Sequence, residues 1–329
     1  MKNFSKQNLI TLILAVALIL LSFVSLFVGV IDISLKDLFV KNENFNSLWT
    51  VFFASRLPRL LALLCTGTGM SVAGLIMQQL CSNKFVSPTT GATISSAQFG
   101  ILLALIFMPN SNLWGRAIFS FSFAILGTWT FVWFILKIKF KDPVMVPLVG
   151  IMFGNIVSGI TQFLAYKFDM TQSLSSWLTG HFSGVIRGRY EIVYLVLPLV
   201  IIAFIYSNHF NIVGMGKDFS KNLGVNYNFV LFMGLTISAM ITAAIVVVVG
   251  SVSYIGLIVP NLVAMYKGDN IRGTLLDNAL FGSLFVLVCD VIGRIIVWPF
   301  ELPIELIIGI LGSVIFIVLL FIRLKKGGR

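Results

Sequence analysis

The sequence contains few charged residues, and acidic residues are the scarcest of them. Only 11% of its 329 residues are charged, whereas an ordinary soluble domain carries about 25%. Lys and Arg number 23 and Asp and Glu 12, so the net charge is +11. With 58% hydrophobic residues and a mean hydropathy of +1.01, the composition predicts a polytopic membrane protein. No stretch between the apolar runs is long and polar enough for a soluble domain, so residues 1–329 are expected to form one transmembrane domain.

Residues that bind metals or act as nucleophiles are also scarce. The three cysteines, Cys65, Cys81 and Cys289, are scattered in or at the edges of apolar runs and form no CxxC pattern. The two histidines, His181 and His209, lie outside these runs. The pattern favours neither a disulfide framework nor a metal site. No catalytic, metal-binding or cofactor-binding residue is therefore predicted.

The sequence has no phosphate-binding loop. Its nearest approach, VGMGKDFS, lacks the four-residue gap before Gly-Lys, and Asp218 stands where Ser or Thr is required. Any ATP that drives this protein would have to bind to another chain. The basic residues form short clusters between apolar runs without interleaved aromatics, which argues against a nucleic-acid partner.

Ten apolar runs are near the length of about 20 residues that a helix needs to cross the hydrocarbon core of a bilayer. One long run is divided near Gly250 and Ser251, because it has too many residues for one crossing. The predicted spans are about 9–30, 60–80, 92–108, 114–136, 144–166, 191–207, 229–250, 251–266, 275–297 and 304–322.

The distribution of basic residues predicts the orientation. With the N-terminus inside, 14 of the 23 Lys and Arg residues fall on inner segments and 9 on outer ones. Ten spans return the basic tail RLKKGGR to the inside, so both termini are predicted to be cytoplasmic. This topology places Arg56 and Arg59 outside. Pro58 is expected to keep the helix from including Arg56, so that both arginines face water.

Within the predicted spans, Asp290 is expected to be the only acid, and Arg294 follows four residues later on the same helix face. A structural ion pair is favoured over a functional role. No chain of carboxylates crosses the spans, which argues against a proton-coupled secondary carrier. Small residues four apart, such as Gly67 and Ser71, predict close helix packing, although a pathway lining is the alternative.

Two loops are predicted to contain short helices. Leu174, Trp177 and Leu178 in the outer loop after the fifth span indicate an amphipathic helix on the membrane surface. The inner segment KDFSKNLG indicates a helix that is ended by Gly224. The polar segment that follows the second span fits either a solvated turn or a constriction.

Four segments together resemble one protein family. They are RLPRLLALLCTGTGMSVAGLIMQQLCSNKFVSPTTGA, NLGVNYNF, GSVSYIGLIVPNLVAMYKGDN and CDVIGRIIVWPFELPIELIIGILGSVIF. In order and spacing they resemble the FecCD-type permeases, which are ten-span subunits of bacterial ABC importers for ferric siderophores, haem and cobalamin. Among these, the chain is most similar to Gram-positive permeases for ferric catecholate siderophores such as petrobactin. The resemblance implies an all-α fold of about ten transmembrane helices, the type II ABC importer permease fold.

The resemblance also implies roles for individual residues. Arg56, Arg59 and Arg294 match the positions at which the family docks its binding protein. Asn83 and Phe85 match the turn that contributes to the inner gate.

The small-x-x-Leu-Gly pattern with which the family contacts its ATPase matches Ser220, Leu223 and Gly224. The chain departs from the family pattern at five positions, and these departures concern the gate and the substrate rather than the fold. The five positions are Lys84, Ser87, Asn261, Glu305 and Ser313.

The implied function is import of an iron–siderophore complex across the bacterial plasma membrane, without an ATPase site of its own. The implied partners are two ATP-binding subunits, a second permease in a heterodimer, an extracellular substrate-binding lipoprotein and membrane lipid. The alternatives are a haem or cobalamin permease of the same architecture, a secondary carrier, or a membrane-embedded enzyme.

Overall fold

The computed structural model describes residues 2–29, 45–90, 92–110, 112–137 and 145–327. Within these ranges nearly all regular structure is helical, and an isolated bridge between Thr179 and Ser251 is the one β-type pairing. The prediction of an all-α fold is therefore confirmed. The helices in chain order are α1 (Lys2–Phe27), α2 (Phe45–Val51), α3 (Leu57–Leu80), α4 (Thr93–Phe107), α5 (Leu113–Lys137), α6 (Met145–Lys167), α7 (Thr171–Leu178), α8 (Val196–Ile205), α9 (Ser207–Gly214), α10 (Lys217–Asn222), α11 (Tyr227–Val249), α12 (Ile255–Lys267), α13 (Ile271–Ile295) and α14 (Ile304–Gly327).

The described helices account for the predicted spans. Seven helical segments are long and apolar enough to cross a membrane, and three shorter apolar helices accompany them. Each of the ten predicted spans overlaps one of these ten segments, which agrees with about ten membrane helices. The division near Gly250 is confirmed, because α11 ends at Val249 and α12 begins at Ile255. Gly250 has φ +92°, a conformation that glycine adopts without strain.

The second span begins earlier than predicted. α2 continues into α3 through a π-helical turn at Phe52–Arg56, so Arg56 is inside a helix. Pro58 cannot donate a hydrogen bond to the carbonyl of Ala54, but the backbone N–H of Arg187 does so at 2.9 Å. The expectation that Pro58 excludes Arg56 from the helix is wrong, because a π-helical turn and a donor from a distant loop accommodate the proline.

α3 lies at the centre of the bundle and approaches two other helices very closely. A Cβ atom on Gly67 would lie 2.4 Å from the carbonyl oxygen of Gly282 in α13. A Cβ atom on Gly74 would lie 2.0 Å from the carbonyl oxygen of Gly256 in α12. Backbones can approach this closely only where side chains are absent, so the predicted role of Gly67 in helix packing is confirmed.

The two ends of α3 define the two ends of the molecule. The helix has 24 residues, which corresponds to about 36 Å. Arg59, near its start, contacts Asp290 and Glu301, and we call this the Arg59 end. The turn that follows its last residue contains Lys84, and we call the opposite end the Lys84 end.

Candidate functional site

Arg59 is bound by two carboxylates. Its Nη1 donates to both carboxylate oxygens of Glu301, at 3.0 and 2.8 Å. Its Nη2 and Nε donate to Oδ1 of Asp290, at 2.8 and 3.3 Å. Because the guanidinium fork matches carboxylate geometry, these contacts occupy all three of its nitrogens. Arg59 therefore has no nitrogen without a carboxylate partner.

Arg294 of α13 joins Arg59, Asp290 and Glu301 to form a charge cluster. It pairs with Asp290 one helical turn away, so the predicted ion pair is confirmed. Its Nη1 also donates to the carbonyl oxygens of Ser25 and Val28 at the end of α1, at 3.0 and 2.8 Å. Arg56 donates to the same carbonyl of Val28. The cluster therefore joins α1, α3 and α13 at the Arg59 end.

The structure brings the three arginines predicted for docking together, but it buries them. Arg56 is 9% exposed and Arg294 is 3% exposed, and the side chain of Arg59 is 12% exposed. Glu301 is more accessible, at 24%. The expectation that Arg56 and Arg59 face water is wrong, since buried charges need partners and these arginines find them inside the bundle.

A cavity of about 310 Å³ opens beside this cluster. Arg59, Asp290 and Glu301 line one side of it, and His181 and Ser183 in the loop after α7 line another. We call it the Arg59 cavity. One arginine and two carboxylates line it, so it presents a polar surface on which the positive charge of Arg59 is already paired.

The sequence interpretation overlooked a second buried acid. Asp277 in α13 is completely buried and pairs with Lys267 of α12 at 2.8 Å. It also accepts a hydrogen bond of 2.7 Å from Thr11 of α1. The expectation that Asp290 is the only acid within a span is therefore wrong. Asp277 lies inside the predicted span 275–297, so the signal was present in the sequence.

The turn at the Lys84 end is held by two asparagines. Asn83 is buried, and its Oδ1 accepts a hydrogen bond of 2.9 Å from the N–H of Phe85. Asn261 of α12 donates to the carbonyl of Lys84 at 2.9 Å. The ring of Phe85 meets Phe316 of α14 edge to face, with 6.3 Å between the ring centroids. These contacts fix the turn between α12 and α14.

A second cavity, of about 400 Å³, lies next to this turn. Phe85 and Phe316 line it, together with Tyr254 at the start of α12. Tyr254 has φ +66°, which is uncommon for a bulky residue. The predicted gate residue Phe85 thus borders an open space within the bundle.

The predicted coupling residues form the end of α10. Gly224 has φ +73° and donates 3.0 Å to the carbonyl of Lys221, while Val225 donates 2.9 Å to the carbonyl of Ser220. This pair of bonds is a Schellman motif, so Gly224 ends the helix as predicted. Ser220 is buried, whereas Leu223 is 55% exposed. The helix therefore presents an apolar residue to its surroundings.

The residues predicted for the gate and for coupling lie at the same end of the molecule. Ser82, beside Asn83, donates a hydrogen bond of 3.0 Å to the carbonyl of Gly214, just before α10. The arginines predicted for docking lie at the opposite end of α3. The structure therefore groups the predicted site residues into two sets rather than one.

The cysteines are free thiols. Cys65 and Cys289 are buried, and burial raises the pKa of the Cys81 thiol to about 12. Among the described residues, no three His, Cys, Asp or Glu side chains are placed to hold a metal ion.

A bundle of apolar helices with separate polar clusters at its two ends is typical of an integral membrane protein. Comparison with known proteins is consistent with this class. The chain belongs to the FecCD transport family, which matches residues 17–322.

Two curated relatives cover almost the whole chain. The petrobactin import system permease protein YclN of Bacillus subtilis is 46% identical over 310 residues, 94% of this chain and 97% of that protein. The ferric-anguibactin transport system permease protein FatD of Vibrio anguillarum is 38% identical over 90% of this chain and 93% of that protein.

A solved structure shares the fold. It is an inward-facing ABC transporter of the metal-chelate type, with a TM-score of 0.81 and 25% identity. The match covers 95% of this chain and 98% of that one. The resemblance to FecCD permeases found in the sequence is confirmed.

Proposed function

We propose that this chain is a permease subunit of an ABC importer and moves a ferric siderophore across the plasma membrane of a bacterium. The observation that carries the proposal is the 46% identity, over 94% of the chain, to a petrobactin import permease. Among ferric siderophores, one of the catecholate class, of the petrobactin type, is the proposed substrate. The chain makes and breaks no bonds, and ATP is hydrolysed on separate subunits.

The proposed assembly contains this chain as one transmembrane domain, a second permease, two ATP-binding subunits and a substrate-binding lipoprotein. The exposed apolar faces of α6 and α14 support a second permease, because they flank the cavity beside Phe85. Ile151 on α6 and Phe316 on α14 both line that cavity, so a partner there would close it. A different permease chain, giving a heterodimer, is the proposed partner.

The proposed orientation places the Arg59 end outside and the Lys84 end, with both termini, in the cytoplasm. The excess of basic residues on the predicted inner segments supports it. α10 would then meet the ATP-binding subunits through Leu223, with Ser220 and Gly224 fixing its shape. Asn83 and Phe85 would form part of the inner gate.

Arg56, Arg59 and Arg294 are proposed to receive acidic side chains of the binding lipoprotein. Because Glu301 already occupies Nη1 of Arg59, an incoming carboxylate would have to replace it. Glu301→Gln should therefore strengthen docking, since a neutral amide competes less well for the guanidinium.

The docking role can be measured with the cognate lipoprotein and the assembled transporter at low salt. Reversal of both Arg56 and Arg59 to Glu should weaken binding, and Glu301→Gln, which keeps the arginines, should tighten it. An affinity that neither change alters would exclude the docking role.

Uptake in cells tests the substrate. A strain that lacks this permease should fail to take up ferric petrobactin, and the cloned chain should restore uptake. Ferric citrate and ferric hydroxamate uptake in the same strain should be unaffected. Restoration of haem or cobalamin uptake instead would replace the proposed substrate while keeping the permease class.

A further inference from the structure

The Arg59 end contains another cavity, whose described lining includes two arginines and no acidic residue. It has a volume of about 510 Å³ and lies between the start of α5, α7 with the loop that follows it, and the end of α11. Arg116, Arg189, His181 and Trp177 line it. Among the described residues in its lining, none is acidic. We call it the Arg116 cavity, and its charge contrasts with that of the Arg59 cavity, which two carboxylates line.

Arg116 has no anionic partner in the described part of the chain. Its guanidinium carbon lies 4.8 Å from the ring centre of Trp177, which is a cation–π distance. Its Nε is buried and makes no hydrogen bond there. The rest of the Arg116 side chain is partly exposed and lines the cavity, where no described acid neutralises it, so the site favours an anionic ligand.

Arg189 lies on a fixed stretch of backbone. The carboxylate of Glu191 accepts hydrogen bonds from the N–H of Gly188 at 2.6 Å and of Tyr190 at 3.0 Å. The side chain of Arg189 is exposed and forms no ion pair with a described residue. Because Glu191 already holds the backbone of this loop, only the side chain of Arg189 has to become ordered when it binds an anion.

His181 is a further lining residue of the cavity. Its Nδ1 donates a hydrogen bond of 2.7 Å to the carbonyl of Thr179, which leaves Nε2 for other contacts. Nε2 lies beside Gly184, another lining residue of the cavity. His181 and Ser176 also line the Arg59 cavity, so the two spaces are adjacent.

We propose that the Arg116 cavity is an entry site for an anionic, aromatic ferric chelate. Arg116 and Arg189 bind catecholate or carboxylate oxygens of the chelate, and Trp177 packs against a ring. An iron(III) ion that is fully coordinated by catecholate groups forms an anionic complex with aromatic edges, which fits this lining. The volume is within the range of about 300–1,000 Å³ of small-molecule sites. The inference rests on the proposed function, because it gives the cavity the same substrate.

Equilibrium binding to the assembled transporter tests the inference. The transporter is placed in nanodiscs of zwitterionic lipid, without binding lipoprotein or ATP, and titrated with ⁵⁵Fe-labelled ferric petrobactin. Arg116→Gln and Arg189→Gln should each weaken binding about tenfold, since each removes a charge-assisted contact. Arg116→Lys, which keeps the charge, should retain part of the affinity. Arg187→Gln is the matched control, because Arg187 is exposed on the same loop but does not line the cavity.

Several results would overturn the inference. Unchanged binding in both cavity variants would do so, and so would an equal loss with Arg187→Gln, which would indicate general surface charge. An uncharged ferric trihydroxamate should be insensitive to the variants. If anionic lipid in the nanodiscs abolishes the Arg116-dependent binding of the chelate, the cavity is a lipid site. The same conclusion follows if anionic lipid binds to the transporter and the chelate does not.

The inference and the proposed function can fail separately. If the wild-type transporter binds the chelate through Arg116 but reconstituted vesicles import none, the proposed function fails and the binding site stands. If the vesicles import ferric petrobactin and the cavity variants bind it as wild type does, the site fails and the function stands.

Discussion

Asp290 pairs with two buried arginines at once. It pairs with Arg59 of α3 and with Arg294 of its own helix, and its side chain is 2% exposed. A buried charge that loses its partner is strongly destabilising. The carboxylate of Asp290 is therefore central to the packing of α1, α3 and α13.

Asp290→Asn should destabilise the protein by about 3–5 kcal/mol, because Arg294 loses its anionic partner inside the bundle. Unfolding in mixed detergent micelles with increasing denaturing detergent measures the change. Asp269→Asn is the control, since Asp269 pairs with Lys84 at an exposed site where a pair contributes less than about 1 kcal/mol. Equal losses in the two variants would contradict the assignment.

Phe85 is predicted to close the inner gate together with Phe316. Phe85→Ala removes the edge-to-face contact and should increase leakage of preloaded ferric siderophore from vesicles in the absence of ATP. Phe107→Ala, at the far end of α4 and 70% exposed, should leave leakage unchanged. Equal leakage in the two variants would show that Phe85 is not part of the gate.

The sequence could predict only the local part of the charge cluster. Asp290 and Arg294 are four residues apart, and helix geometry alone brings them together. Arg59 and Glu301 are 242 positions apart, and only the folded bundle shows that they meet. The predicted topology, with Pro58, placed Arg56 and Arg59 in water, because the sequence does not show which distant groups bind them inside the bundle.

Among the elements, α3 and α13 approach each other so closely at Gly67 and Gly282 that their backbones are in direct contact. Gly67→Ala should cost about 1–3 kcal/mol, since its Cβ would lie 2.4 Å from the backbone of Gly282 and the helices would have to separate. Unfolding by denaturing detergent measures the loss. Gly159→Ala in α6 is the control, because no atom lies within 4 Å of its Cβ. That variant should be as stable as wild type or slightly more stable.

The short helix α10 depends on Gly224 for its ending. Gly224→Pro should uncouple ATP hydrolysis from import, because proline requires φ near −65° where the backbone has +73°. The number of ATP molecules hydrolysed per imported chelate should rise.

Gly268→Pro provides the comparison for that experiment. Gly268 also follows a helix at positive φ and also donates its N–H to a helix carbonyl, but it lies after α12. Its substitution should leave the ratio of hydrolysis to import unchanged. Coupling that is normal in Gly224→Pro would exclude α10 as the coupling element.

Helix boundaries were predictable where the determining residue is local. Gly250 separates α11 from α12, and a glycine within a long apolar run is a visible signal. The continuous helix through Pro58 was not predictable, because the carbonyl that the proline leaves free is bonded by Arg187, from a loop far along the chain.

At the scale of the whole molecule, polar groups are concentrated at the two ends of an apolar bundle. The apolar runs located the seven long and three shorter apolar helical segments in the described part of the chain, because an apolar run is a local signal. Which polar groups meet across helices depends on packing, so the Asp277 and Arg59 clusters emerged only from the structure. The Arg59 end is the proposed entrance, and the Lys84 end is the proposed site of the gate and of contact with the ATP-binding subunits.

Import by purified components tests this account most directly. Vesicles that contain this chain, its partner permease and the ATP-binding subunits should take up ⁵⁵Fe-petrobactin when the binding lipoprotein is outside and ATP is inside. Vesicles that lack the ATP-binding subunits should take up none, whatever ion gradient is imposed. Gradient-driven uptake by this chain alone would contradict the account and identify the protein as a secondary carrier.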